Sequence, residues 1–516
     1  MATRFEAPRP RRSLDPRATR VIQTRSPEVS DSGRDLSLFV RCLTPCIVVA
    51  WLAAAPPASV PRTWDARELA SFELPLVRPD RSAQHAAPDY YYRLAVRPIY
   101  KSYPVYAPGH EPPGYMEWLA SQDPVIAFDS SALLTDADWI AAGERVFEAP
   151  LGYGATFKLA SVRDPSWYEH NQIPVTKDGV MPFTRYVVRK KGLVEVGSGS
   201  CLMCHARLMP DGTLLKGAQG NFPADRIVGY NLRQQAATTK DSGALLDGVR
   251  LGQRTFFSMP WLTPDPIARV ATMSIDEIAS VYEAVPVGAS TRVNLSLFAP
   301  AQIPDLIGVR ERRFLDHTGL VQQRSIADLM RYVAIVQGAN AFDRFGDFLL
   351  LDPVPDPTKM DRYSDEQLYA LGRYLYSLKP PPNPHRMGAM ATRGRRIFLR
   401  EGCHACHTAP LYTSNKLTPA FGFTIPAEHL TRYGIINRSV GTDPELAMRT
   451  RKGTGYYKVP SLKGAWYRGP FQHAGAVKTL DQWFDPARLE RVPGHPFALT
   501  LTHDDRRALI AFLETL

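Results

Sequence analysis

The sequence predicts a mainly α fold, with two tandem helical domains of one kind and, in the first, loop-rich insertions and a small β hairpin. Three observations carry this expectation. A Cys-x-x-Cys-His pentamer occurs twice, at Cys201–His205 and Cys403–His407. Matching blocks flank both pentamers in the same order, and each half closes on an amphipathic helix. The 516 residues allow two to four domains at roughly 150 residues each. With 44% hydrophobic and 22% charged residues the chain is globular, too apolar to stay disordered. Its 45 prolines predict many ordered loops between short elements.

Before each pentamer stands a G-x-R-x-F segment, Gly143 to Phe147 and Gly394 to Phe398. After each comes a 17-residue block, 303–319 (IPDLIGVRERRFLDHTG) and 459–475 (VPSLKGAWYRGPFQHAG), sharing P-x-L-x-G, an Arg and H-x-G. The closing helices are 364–378 and 502–516, the first with a Ser364/Gln367 capping box. Nine residues separate Gly394 from Cys403 but 58 separate Gly143 from Cys201, so an insertion precedes the first pentamer. Within it, 183–196 (FTRYVVRKKGLVEV) alternates as a hairpin turning at Lys190, Lys191 and Gly192. The expected organisation is a leader over 1–58, an extension over 59–135 with no counterpart in the second half, a first domain over 136–380, a proline-rich linker over 381–388 and a second domain over 389–516. The extension, rich in Tyr and Pro, suggests no function.

In the leader, Cys42 to Ala55 (CLTPCIVVAWLAAA) follows Arg34 and Arg41 and ends in small residues, as a secretory signal does. Fourteen residues containing Pro45 fall short of the roughly 20 needed to span a bilayer. A periplasmic or secreted protein of a Gram-negative cell is expected, with a retained anchor as the second reading and no stable membrane span. Of the formal charge of +11, residues 1–58 account for +4 through nine Arg and five acids. The remaining +7 gives little support to nucleic-acid binding.

Four cysteines lie outside the leader: Cys201, Cys204, Cys403 and Cys406. One such pentamer arises by chance on the order of a thousandth of the time in a chain of this composition, and two on the order of a millionth. The spacing has a chemical reason: two thiols three residues apart can both form thioethers to one porphyrin edge, and the next imidazole then reaches the iron. Two covalently bound haem c groups follow, with Cys201, Cys204, Cys403 and Cys406 as attachment points and His205 and His407 as ligands. Their four propionates offset over half of the +7. A zinc ribbon brings its Cys pairs some 15 to 20 residues apart, and neither zinc nor a disulfide requires His after each second Cys.

The tandem motifs, P-S-L…G-P-F-x-H-x-G after the second of them, and the closing A-L-I-A-F-L-x-T-L helix resemble the bacterial di-haem cytochrome c peroxidase superfamily, over roughly residues 136–516. Within it, Lys458 to Phe471 followed by Gly494-His495-Pro-Phe looks closer to the rubber-oxygenase branch. The resemblance implies that peroxide or dioxygen is met at the first domain's haem and that the second domain's haem relays electrons from a small redox donor such as a cytochrome c or cupredoxin. Many relatives hold a Ca2+ between the domains; no ligand motif for it stands out here.

Ligands are carried over residue by residue. Family peroxidases place a Met before the final helix; here no Met follows Met448, and His495 occupies that stretch as the second ligand of the second iron. Its competing role is that of a solvent-exposed turn histidine, and His473 is a rival ligand whose repeat partner His317 suggests a structural role. At the first iron, relatives carry a displaceable His some 16 residues after the motif; this chain reads Gly217-Ala-Gln-Gly-Asn221-Phe222-Pro223 there, which leaves that position open. The pocket piece matching the family's catalytic Glu is Gly338 to Arg344, with Asp343 as acid–base group and Phe342 as the aromatic lid of the rubber-oxygenase branch. A carboxylate there moves a proton from the near to the far peroxide oxygen; a lid without a working acid favours dioxygen and an apolar substrate. Asp343 paired with Arg344 or solvent is the bland alternative, and a plain electron carrier is the non-catalytic one. Where the family's bridging F-W-D-G falls, this chain has Phe314-Leu-Asp-His317.

Overall fold

The computed structural model describes residues 59–154 and 157–516; the apolar run 42–55, read above as an export signal, lies outside them. Among the described residues no helix is long and apolar enough to cross a membrane.

In chain order, β1 (Ala83–Gln84) and β2 (Ser102–Tyr106) belong to the 59–135 extension, and α1 (Asp136–Glu148), β3 (Gly152–Tyr153), β4 (Val180–Lys190) and β5 (Leu193–Ser198) precede the first pentamer. After it come α2 (Ala224–Thr238), α3 (Ser242–Phe257) and α4 (Ile275–Glu283), then α5 (Ile326–Val336), β6 (Arg344–Phe345) and α6 (Asp365–Ser377). The second half is bracketed by α7 (Ala389–Arg400) and α8 (His503–Glu514).

Of the described residues 38% are helical and 13% lie in strands, so the helices expected from the sequence are joined by more sheet than one hairpin, a mixed helical fold with small sheets. The hairpin is where the alternation puts it, Lys190 pairing with Leu193 across Lys191 and Gly192. It is not isolated, however. It forms the middle of a four-stranded sheet in the order β2-β4-β5-β3. The outer strand β2 alternates, with Tyr103 and Val105 buried, so the extension pairs a hairpin edge that would otherwise be open.

Both closing helices form as the periodicity requires. A Ser364/Gln367 capping box starts α6, and Thr502 accepts from the Asp505 amide at the start of α8. α6 packs on α1 and α8 on α7. The repeated glycine of G-x-R-x-F explains both crossings. A Cβ on Gly143 would sit 2.0 Å from the Ala370 carbonyl oxygen, and one on Gly394 1.8 Å from that of Ala508. Only glycine lets these backbones meet. Between α6 and α7 the proline-rich stretch is extended, and Asn383 pins it by donating to the Glu514 carbonyl at 2.8 Å.

The main core joins the extension (Trp64, Phe72, Tyr91) to the first half (Phe147, Tyr186, Leu368), with Met330 of α5 buried inside it. A separate cluster around Ile397, Phe398, Leu509 and Phe512 supports the second half.

Candidate functional site

Each pentamer forms one short helical turn, at Cys201–Cys204 and Cys403–Ala405. All four cysteines are free thiols, which removes the disulfide reading. Burial pushes the Cys201 thiol up to about 12. His205 Nδ1 donates to the Pro304 carbonyl at 3.0 Å. His407 Nδ1 donates to the Tyr412 carbonyl at 3.2 Å, and the ring also meets the Pro460 backbone. Pro304 and Pro460 are the same position of the repeated P-x-L-x-G block. Fixing Nδ1–H in this way sets the tautomer and leaves Nε2 as the nitrogen with a free lone pair. Burial, followed by the nearby Arg292, drives His205 down to about 3, so the imidazole is held neutral.

In the second half, the His495 and His407 rings face each other with centroids 6.4 Å apart. A metal bonded to both rings at about 2 Å per nitrogen, each nitrogen lying about 1 Å from its ring centre, needs a separation of about 6 Å. The turn that aims His495 is built for the purpose. Gly494 has φ +85°, and a Cβ there would lie 2.2 Å from the Thr442 amide nitrogen. His495 itself is left-handed at φ 48°. Arg488 holds the strained turn by donating to the carbonyls of Val492, Gly494 and His495 at 3.1, 2.9 and 3.0 Å. His495 Nδ1 is buried without a hydrogen-bond partner. The rival His473 stacks on Tyr457 at 4.2 Å instead, and its repeat partner His317 donates from Nε2 to the Gln302 carbonyl at 2.6 Å.

At the first half, His205 has no imidazole among the ring contacts of the described residues. The segment that in relatives carries a displaceable His is fastened down: Gly217 donates to the His205 carbonyl at 2.6 Å and Gly220 to that of Cys204 at 3.0 Å. Gln219, wholly buried, donates to the carbonyls of Gly288 and Pro470, both at 3.0 Å, and accepts from the Gly469 amide at 3.2 Å. It staples the two halves together.

Phe342 and Asp343 end the turn after α5 and are 7% and 2% exposed. Phe342 packs edge-on against Tyr90 of the extension, ring centroids 5.1 Å apart. Asp343 pairs with neither Arg344 nor solvent: its Oδ1 lies 2.8 Å from His85 Nδ1. Burial pushes this carboxyl up, against the pull of His85. His85 lies in the extension, and no local spacing in the sequence marks it. At the F-W-D-G position, Phe314 packs with Leu74, Leu417 and Tyr433.

Between Pro304 and Pro460 lies a cavity of about 40 Å3 for water-sized occupants, walled by Arg312, His317, Lys458 and Arg468 with Asp305 as the one carboxylate. Arg468 Nε is buried without a partner there. Paired thiols, neutral imidazoles and an under-neutralised cationic cavity form a donor set that suits a tethered, propionate-bearing haem at each pentamer. Among the described residues no group of three or more His, Cys, Asp or Glu converges as a metal site.

No family model matches the chain. A cytochrome-c peroxidase of Denitromonas iodatirespirans is 30% identical over 165 residues, 25% of this chain; the chain thus spans 41% of that relative's length. Structural likenesses include the hydrazine synthase of Kuenenia stuttgartiensis (17% identity, 56% of this chain and 92% of the other, TM-score 0.28). A MauG-like protein associated with microbial copper homeostasis (16%, 42% and 73%, 0.26) and the diheme peroxidase BthA of Burkholderia thailandensis (20%, 54% and 87%, 0.23) are also similar. With TM-scores this low, these superpositions bear on none of the chemistry. Its paired motifs resemble those of the bacterial di-haem cytochrome c peroxidase superfamily, and over 165 residues the chain is similar to a cytochrome-c peroxidase.

Proposed function

We propose that the protein is an exported di-haem c-type oxidoreductase of the peroxidase type, organised as two tandem haem domains. Cys201 and Cys204 with His205 hold the first haem, and Cys403 and Cys406 with His407 and His495 the second. Bound haem c supplies redox-active iron for reducing peroxide. The chain's own residues set the two sites apart. His407 faces a second imidazole and, among the described residues, His205 has none in ring contact, and this asymmetry is the observation that carries the reading. A site capped on both sides suits electron relay from a small donor protein, and a site open on one side suits a reacting substrate.

Asp343, which this reading assigns to the open site, has one oxygen on His85, and no other hydrogen bond engages its carboxyl among the described residues. It is therefore free to take a proton from one peroxide oxygen and return it to the other. Phe342, on the same turn, packs edge-on against Tyr90. The pairing of Asp343 favours peroxide over the oxygenase alternative, since an acid–base group held by a partner is what heterolysis uses.

Electron paramagnetic resonance of the ferric holoprotein tests the asymmetry: one high-spin and one low-spin signal are expected. Two low-spin signals overturn the reading in favour of an electron carrier. Peroxide turnover with reduced cytochrome is expected, and oxygen uptake with an alkene in its place marks the oxygenase.

A further inference from the structure

The extension 59–135, which the repeat does not explain, places a histidine between two carboxylates. β1 and β6 pair antiparallel, Ala83 opposite Phe345 and Gln84 opposite Arg344. The next step of that register brings His85 opposite Asp343, although 258 residues separate them. His85 Nδ1 meets Asp343 Oδ1 at 2.8 Å, and its Nε2 lies 3.6 Å from Glu73 Oε2. The three side chains are 6% (His85), 2% (Asp343) and 14% (Glu73) exposed. Nε2 is buried without a hydrogen-bond partner. The ring is fixed by Trp64, edge-on at 5.9 Å, whose indole nitrogen donates to the Ala86 carbonyl at 2.8 Å.

We propose that the extension supplies a proton relay to Asp343, with His85 as the positioning residue that links it to Glu73. This rests on the acid–base reading of Asp343 given above. A static ion pair needs one carboxylate; a second, 3.6 Å from the opposite nitrogen, favours the doubly protonated ring from which Asp343 can draw a proton. When Asp343 gives its proton to a substrate oxygen, the imidazolium passes its Nδ1 proton to Asp343 and keeps its Nε2 proton beside Glu73. The neutral ring then regains one proton from water, and the Glu73 carboxylate favours the charge that returns. No electron moves and no heavy-atom bond changes.

The surroundings fit a row that holds protons. Burial works to lower His85, but Asp343 and Glu73 outweigh it and carry the imidazole well above the usual histidine range. The other charged groups acting on the row are Arg451 and Lys452, whose fields reach Asp343. Arg451 lies over the Phe345 and Phe348 rings and donates to the Thr255 carbonyl. Burial pushes both cations down, and it is His85 whose nitrogen meets the Asp343 carboxylate at 2.8 Å.

Two measurements on the holoprotein test this. The first is the pH profile of peroxide turnover for His85→Asn, which keeps a donor at the Nδ1 position but cannot relay, and for Glu73→Gln. Both are expected to lower kcat at least tenfold with KM within twofold, and to remove the ionisation that wild type shows. Profiles that superimpose on wild type overturn the relay. The second needs no turnover. In protein labelled with 15N-histidine, the His85 resonances, assigned by their loss in His85→Asn, are expected to show both nitrogens protonated above the ordinary histidine range, and Glu73→Gln and Asp343→Asn each to lower that titration. A His85 that titrates normally in wild type, unmoved by either variant, overturns the relay even where the peroxidase reading itself has failed.

Discussion

His407 and His495 lie ring to ring, 6.4 Å apart, although the turn carrying His495 is left-handed at a residue that is not glycine. Such backbone costs on the order of 1 kcal/mol or more and persists where surrounding structure holds it; here Arg488 and Gly494 do so. His495→Met is expected to keep the second haem low-spin but raise its potential by on the order of 0.1 V, within the roughly 0.8 V that axial ligands span. Spectroelectrochemistry reads it. An unchanged potential means that His495 is not a ligand.

The glycine pair in the repeated G-x-R-x-F block makes opposite demands on helix propensity and packing. Both glycines lie inside helices, where alanine is favoured by about 1 kcal/mol. Yet the new methyl would land 1.8 Å from the Ala508 carbonyl oxygen in Gly394→Ala and 2.0 Å from that of Ala370 in Gly143→Ala. Overpacking against backbone costs about 1–3 kcal/mol or more, so packing wins and both variants are expected to be destabilised. Denaturant midpoints measure this; a gain in stability in either variant contradicts the close crossing.

What the sequence reveals here, and what it hides, follows from range. The pentamers, P-x-L-x-G and the closing helices are local patterns. The structure gives each a local job: Pro304 and Pro460 meet the His205 and His407 rings, and Gly143 and Gly394 permit the helix crossings. Met330 falls in the core because the 3.6-residue period of α5 puts it there. His85 and Glu73 carry no such signal. Their place beside Asp343 depends on a two-residue strand pairing far along the chain, and nothing in their neighbours' spacing encodes it. The outer strand β2 beside the hairpin is hidden for the same reason. Asp343 is legible as a position, but its partner is not.

Stability against acid is expected to depend in part on His317. Burial, then Lys458, pushes this imidazole down to about 4, against the Gln302 carbonyl that accepts from Nε2. A histidine held neutral when folded binds fewer protons than the unfolded chain between about pH 6.5 and 4. Its contribution is therefore complete above about 6.5 and is lost as pH falls toward 4, by up to about 3 kcal/mol. His317→Gln keeps a donor near Nε2 and removes the titration. Denaturant midpoints between pH 4.5 and 7.5 are expected to fall less steeply in this variant than in wild type, and parallel curves rule the assignment out.

Gln219 offers the sharpest test of how the halves are joined. Its amide satisfies the carbonyls of Gly288 and Pro470 and the Gly469 amide, and its Oε1 also accepts from Gln302 Nε2 at 3.1 Å. Gln219→Leu fills nearly the same volume but strands these buried groups, each at about 1–3 kcal/mol when nothing replaces the bond. Part of the loss is recovered by water and by Gln302, which also donates to the Pro470 carbonyl at 2.8 Å, so a net cost of about 3 kcal/mol is expected. The damage falls between the halves, which separates it from an ordinary core defect. Limited proteolysis of Gln219→Leu is therefore expected to cut first between residues 379 and 388, the extended stretch that links α6 to α7. Uniform cleavage with an unchanged midpoint would mean that the interface is held elsewhere.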